Sequence, residues 1–269
     1  MNLKRIISSV IGLPIVILVF LSGNIHIIDI AVSIIALISV YEYLHCFKVT
    51  EKAKPISWIC YVACLIIAVL HFIPSDYLIY IIAIFIPIAI LSLFLHIIIT
   101  NLKITIIDIA VTLFGICYVV LFYAFIPMIY GLEKGEFYVW YTIIAAWGTD
   151  VFAYAIGRRI GKHKFSKISP NKSIEGCIAG TVGAIVISVI YTLILNKCFN
   201  FNINYLIILA ISLILSLIGQ IGDFSASSIK RYTGVKDFSN LIPGHGGMLD
   251  RFDSLIFIAP FAYFLLMLI

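Results

Sequence analysis

The chain has 269 residues, 63% of them hydrophobic and only 12% charged, with a formal charge of +5. A soluble domain carries about 25% charged residues, so that class is excluded. The modest charge gives no reason to expect a nucleic-acid partner, and continuous rather than alternating apolar runs argue against a β-barrel.

Apolar runs of about 20 residues, the length that crosses a bilayer, recur along the whole chain. The expected fold is all-α: a polytopic integral membrane protein with about nine transmembrane helices. They fall at roughly 6–22, 26–46, 56–73, 77–99, 104–130, 137–157, 174–195, 203–226 and 252–269. Pro14, Pro87 and Pro127 fall inside or near the ends of three of them, which membrane helices tolerate. The start, Met1-Asn-Leu-Lys-Arg5, resembles a signal peptide, but the apolar run after it is too long for one and reads as a retained first helix.

The connecting segments alternate in charge. Lys4 and Arg5, then Lys48, Lys52 and Lys54, then Lys103, then the cluster from Arg158 to Lys172 (with Lys167), then Lys230, Arg231, Lys236 and Arg251 occupy every second one. The others hold only Lys134 and Lys197. The positive-inside rule then puts the N-terminus in the cytoplasm and the C-terminus outside. Six cysteines (46, 60, 64, 117, 177 and 198) lack metal or disulfide spacing and read as packing residues. Two regions are expected: membrane helices in 1–135, and a catalytic membrane region in 136–269 with polar loops on the cytoplasmic side. Ile28–Val32 resembles Ile107–Val111, a similarity that so Ile-rich a chain produces by chance.

Three polar clusters interrupt the apolar pattern. The first is Asp150 with Tyr154 one turn on. The second is the run Ile168–Gly176, with Ser169, Lys172, Ser173 and Glu175. The third runs from Gln220 to Asp253 and gathers Asp223, Ser227, Lys230, Arg231, Lys236, Asp237, Asp250, Arg251 and Asp253. Asp223 is expected to close one helix, and Asp250 and Asp253, spaced i, i+3, to open the next on one face. A single Asp at a helix start complements the dipole. Three carboxylates beside Lys230 and Arg231 favour Mg2+ or phosphate chemistry, because Mg2+ takes oxygen ligands from one or two carboxylates plus phosphates. Membrane-edge charges are functional candidates by default.

Pro243-Gly-His-Gly-Gly247 reads either as a turn or as a backbone cradle for an anion, with Gly246 and Gly247 admitting phosphate. His245 serves as an acid, a phosphate contact or a loop hydrogen-bonder; the residue type does not choose. Asp29 and Asp108 lie near helix starts and read as interfacial. Glu42 ends the second helix on the cytoplasmic side and is a candidate for facing the same polar cavity. Gly157-Arg-Arg-Ile-Gly-Lys162 lacks the spacing of a phosphate loop.

The run Ser227-Ser-Ile-Lys-Arg231, then Lys236-Asp-Phe-Ser239, then Ile242-Pro-Gly-His-Gly-Gly-Met-Leu-Asp-Arg-Phe-Asp253 resembles the signature of the phosphatidate cytidylyltransferases, or CDP-diacylglycerol synthases. Asp150–Gly161 is similar to that family's Asp-x-x-Ala-Tyr-x-x-Gly-Arg-x-x-Gly. Ser169–Gly176 is similar to its Ser-Pro-x-Lys-[Ser/Thr]-x-Glu-Gly, with Asn171 at the variable place.

The resemblance implies a reaction at the cytoplasmic face of a bacterial-type inner membrane: CTP and phosphatidate give CDP-diacylglycerol and pyrophosphate. It also implies Mg2+, with one or two cations held by Asp223, Asp250 and Asp253. Lys230, Arg231 and Arg251 would bind the triphosphate or steady those carboxylates. Asp150, Tyr154, Ser169, Lys172, Ser173, Glu175, Ser227, Lys236, Asp237, His245, Gly246 and Gly247 would contact substrate. Membrane lipid surrounds such an enzyme, and a homodimer is compatible with it. The competing readings are a CTP-dependent polyisoprenol or phytol kinase, an ether-lipid cytidylyltransferase and a cation-coupled transporter. The transporter reading calls for charges at mid-membrane rather than at helix ends.

Overall fold

A computed structural model of the chain describes residues 3–166, 168–170 and 172–269. Lys167 and Asn171 lie outside the described residues, as does the Met1–Asn2 start. The fold is helical, and no strand occurs among the described residues beyond two isolated bridges, Lys164 with Ser173 and Ile242 with Gly246. In order the helices are α1 (Leu3–Leu21), α2 (Ile25–Val49), α3 (Ser57–Ala68), α4 (Ser75–Ile99), α5 (Ile106–Gly115), α6 (Leu121–Tyr130), α7 (Gly135–Ile143), α8 (Thr149–Ile160), α9 (Ile174–Phe199), α10 (Tyr205–Thr233) and α11 (Leu249–Leu266). A wide π turn over Ile116–Val120 joins α5 to α6, and another over Ile144–Gly148 joins α7 to α8. Among the described residues six spans are long and apolar enough to cross a bilayer. The chain is an integral membrane protein.

Two sequence expectations shift. Helix α10 runs on to Thr233, so Asp223, Ser227, Lys230 and Arg231 all lie within it and Asp223 does not close it. Helix α3 stops at Ala68, short of the expected 73.

The chain divides into two compact units. One runs to Pro127 and takes in Tyr232–Arg251; the other comprises Met128–Arg231 and Phe252–Ile269. In the first, a core of Ile56, Ile59, Ala89, Leu93 and Ile109 packs α3, α4 and α5. Much of the rest of α4, including Ile79, Ile84, Ile88 and Leu91, is exposed. Asp29 and Asp108, near the starts of α2 and α5, are buried within the protein. Asp29 accepts from the backbone N–H of His71 at 3.1 Å and lies 2.8 Å from its Nδ1. Asp108 forms a capping box with Thr105 and accepts from the Lys54 backbone N–H. Each buried carboxylate thus has donors to replace lost water.

In the second unit small residues bring helices close. A Cβ on Gly180 of α9 would lie 2.6 Å from the Thr149 carbonyl of α8, and one on Gly222 of α10 would lie 2.6 Å from the Phe257 side chain of α11. A buried polar chain crosses three helices: Thr149 to Ser216 (2.7 Å), Ser216 to Thr181 (3.1 Å) and Gln220 Nε2 to Thr181 (2.8 Å). Of the cysteines, 46, 60, 64 and 177 are buried packing residues, whereas Cys117 and Cys198 are exposed.

Candidate functional site

In the second unit the sequence candidates gather around one lysine. Lys172 precedes α9, in a segment tied back on itself by Phe165 N–H to the Lys172 carbonyl (3.1 Å) and Ile174 N–H to the His163 carbonyl (2.9 Å). Its ammonium pairs with Asp223 of α10 and lies 4.9 Å from the centre of the Phe224 ring, on which Phe165 stacks at 4.7 Å. Burial alone would lower the Lys172 pKa. The carboxylates of Asp223, then Asp150 and Asp253, outweigh burial and hold it above the ordinary lysine value. Three acidic residues from α8, α10 and α11 therefore act on a single cation. Ser227 Oγ donates to Asp223 at 3.4 Å, Asp253 is buried with its Oδ1 accepting from Ser254 N–H at 2.7 Å, and Lys230 is buried as well. Arg231 Nε donates to the Ile168 carbonyl at 3.4 Å.

Other candidates in this unit hold the frame. Ser173 caps α9 by accepting from Gly176 N–H at 3.1 Å. A Cβ on Gly157 would lie 3.1 Å from Ser173 Oγ, and one on Gly161 would collide with it. The Gly-x-x-x-Gly spacing after Asp150 is thus explained by the α9 cap. Glu175 faces the same segment: it accepts from Lys162 N–H and His163 N–H, both at 3.2 Å, and lies 2.6 Å from His163 Nδ1. Tyr154 is 68% exposed and accepts from Arg158 at 3.2 Å. Ser169 makes the turn into Lys172, whose N–H donates to the Ser169 carbonyl at 3.1 Å.

The first unit holds the glycine segment. Asp250 Oδ2 accepts from Phe238 N–H (2.8 Å) and Gly247 N–H (3.0 Å). Glu42 of α2, 1% exposed, accepts from Ser239 Oγ (2.6 Å), Met248 N–H (2.9 Å) and Leu249 N–H (2.8 Å). Gly244 and Gly246 adopt φ of +80° and +84°, the left-handed region where glycine is strain-free. His245 N–H donates to the Ile242 carbonyl at 2.9 Å, while Lys236, Asp237 and Arg251 are exposed. The backbone N–H groups of 247, 248 and 249 thus meet carboxylates of the chain itself, Asp250 and Glu42. Sequence reasoning named Glu42 but found it no partner. The one signal for it was a carboxylate inside an apolar helix, a feature Asp29 of the same helix shares.

Among the described residues no group of three or more His, Cys, Asp or Glu side chains forms a ready metal cage. Asp223, Asp150 and Asp253 are hard oxygen donors of the kind Mg2+ takes, and Asp223 is paired with the Lys172 ammonium.

A model of the cytidylyltransferase family matches residues 3–269. The phosphatidate cytidylyltransferase of Bacillus subtilis (strain 168) is 38% identical over 137 residues, covering 51% of this chain and 49% of that protein. Those of Staphylococcus haemolyticus and Staphylococcus aureus (strain COL) are each 37% identical over 135 residues, 50% of either partner. The chain spans about half the length of the curated relatives it matches.

Proposed function

The chain belongs to the cytidylyltransferase family, and from that premise we propose that it is a phosphatidate cytidylyltransferase, working at the cytoplasmic face of a bacterial inner membrane. The observation that carries the reading is Lys172 held charged among Asp223, Asp150 and Asp253, within the part of the chain that bears the signature.

A phosphatidate oxygen attacks the α-phosphorus of CTP. The new P–O bond forms as the bond from that phosphorus to the α–β bridging oxygen breaks, and pyrophosphate leaves with the electron pair. Such a transfer needs alignment and charge neutralisation more than a protein nucleophile. Lys172, Lys230 and Arg231 supply fixed positive charge for the phosphates. Asp223 and Asp253 would hold Mg2+, and Asp250 is the proposed third ligand on its i, i+3 spacing from Asp253. When bound, the metal would neutralise phosphate oxygens and orient them. The proposal extends to nine membrane crossings with the N-terminus inside, and to a homodimer.

The test is direct: purified protein, phosphatidate, labelled CTP and Mg2+, with the lipid product identified. CDP-diacylglycerol is expected. A labelled product from a polyisoprenol instead, or no transfer to phosphatidate, would overturn the reading.

A further inference from the structure

We propose that Glu42 is a positioning residue for this reaction, a carboxylate clasp that shapes the 238–249 segment and so fixes Asp250; the proposal rests on the cytidylyltransfer reading. Glu42 is far from the signature in sequence; of the residues assigned to substrate it lies against Gly247. Its side chain is buried, yet both carboxylate oxygens are engaged: Oε1 by Ser239 Oγ and Met248 N–H, Oε2 by Leu249 N–H. Met248 and Leu249 bring the chain into α11, where the first backbone N–H groups have no partner inside the helix and the helix dipole favours an anion. Asp250 works in parallel, joining Phe238 N–H to Gly247 N–H. Two carboxylates therefore pin residues 238 and 239 to residues 247–249, and the turn closed by Ile242 and Gly246 lies within the loop they tie off.

The clasp also accounts for Gly247. A Cβ there would lie 2.5 Å from Glu42 Oε2 and 2.7 Å from its Cδ, so any side chain would drive the carboxylate out. Gly247 leaves room for Glu42. That replaces the anion-cradle explanation of its small size with an intramolecular one. Glutamine cannot substitute for Glu42: one oxygen becomes an NH2 group, which sets donor against donor at Leu249 or at the Ser239–Met248 pair. Aspartate keeps the charge but is one methylene short.

The experiment uses the full chain in detergent, with CTP, phosphatidate and Mg2+. Loss of a charged hydrogen bond corresponds to roughly 10- to 100-fold in rate, so Glu42→Gln is expected to lower kcat by that factor. KM for phosphatidate should stay near wild type, while the melting temperature falls modestly, because a buried donor left unsatisfied destabilises the fold. Gly247→Ala should reproduce the defect, and the double variant should be no worse than the poorer single, because both break one contact. Hydrogen exchange at residues 247–249 should quicken in Glu42→Gln while the helices elsewhere stay protected. Wild-type kcat in Glu42→Gln, losses that multiply in the double variant, or unchanged exchange would each overturn the proposal. If Glu42→Gln does not accumulate, Ser239→Ala removes one hydroxyl from the clasp and should cost roughly 3- to 10-fold in kcat; no loss overturns the role. A wild-type protein inactive on phosphatidate overturns the reaction itself, and with it the role given to Glu42. The exchange result bears on the clasp alone, so the two failures are distinguishable.

Discussion

Lys172 keeps its proton because carboxylates surround it, and this sets the first expectations. Its pKa lies above the ordinary lysine value, so its contribution is complete at lower pH and fades only as pH rises through that raised value. Activity near neutrality should therefore show no titration of Lys172. Replacing it with Met should lower activity at every pH tested; a Lys172→Met enzyme with wild-type kcat/KM would remove it from the site. Asp223→Asn and Asp253→Asn should each leave a folded protein that has lost at least ~100-fold in rate, about 2.7 kcal/mol of transition-state stabilisation. Asp250→Asn discriminates further. Asn still offers an oxygen to Phe238 N–H and Gly247 N–H, so a purely structural Asp250 would keep most activity in the Asn variant. A ligand would lose activity as Asp223 does. Turnover in saturating Mg2+ and CTP, set beside melting curves, decides each case. Asp223, Asp253 and Lys172 were legible in the sequence because charge is scarce in so apolar a chain. Tyr154 and Glu175 were legible only as motif letters. Their side chains hold Arg158 and His163, and no spacing rule reveals which way such a side chain turns.

At the scale of the element, the helices themselves were readable from continuous apolar runs, but their joints were not. The π turns at 116–120 and 144–148 leave hydropathy unbroken, so nothing in the sequence marks them. The extension of α10 to Thr233 was hidden for the opposite reason: Ser, Lys and Arg ended the apolar run seven residues before the helix ended. Lys230 and Arg231 are helical residues for that reason, and not loop residues. The seam between α8 and α9 yields a stability prediction. In Gly180→Leu the new side chain must displace the Thr149 carbonyl and Ala153, which are backbone and short side chain and cannot give way. The cost should be about 1–3 kcal/mol, read as a lower melting temperature in detergent. Gly12 is the matched control, because a Cβ added there would meet nothing within 4 Å. Gly12→Leu should not lose stability. Equal melting of the two variants would refute the seam.

For the whole molecule the sequence offered a charge map. Sixteen of the eighteen Lys and Arg residues fall at or beyond alternate helix ends, which underlies the proposed cytoplasmic N-terminus. In a Cys-free background, Lys164→Cys should react with an impermeant thiol reagent only when the cytoplasmic face is open; labelling of intact cells would reverse the orientation. What no charge map conveys is that Tyr232–Arg251 folds with the N-terminal helices, since long-range pairing leaves no local trace. That pairing has a consequence in time. Glu42 meets Met248 and Leu249, which lie 206 and 207 residues further along the chain. At roughly 5–20 residues per second of translation, the carboxylate waits about 10–40 s for its donors. Throughout that interval Glu42 lacks all three donors, so a charged carboxylate at the end of α2 needs water in their place until residue 249 has been made.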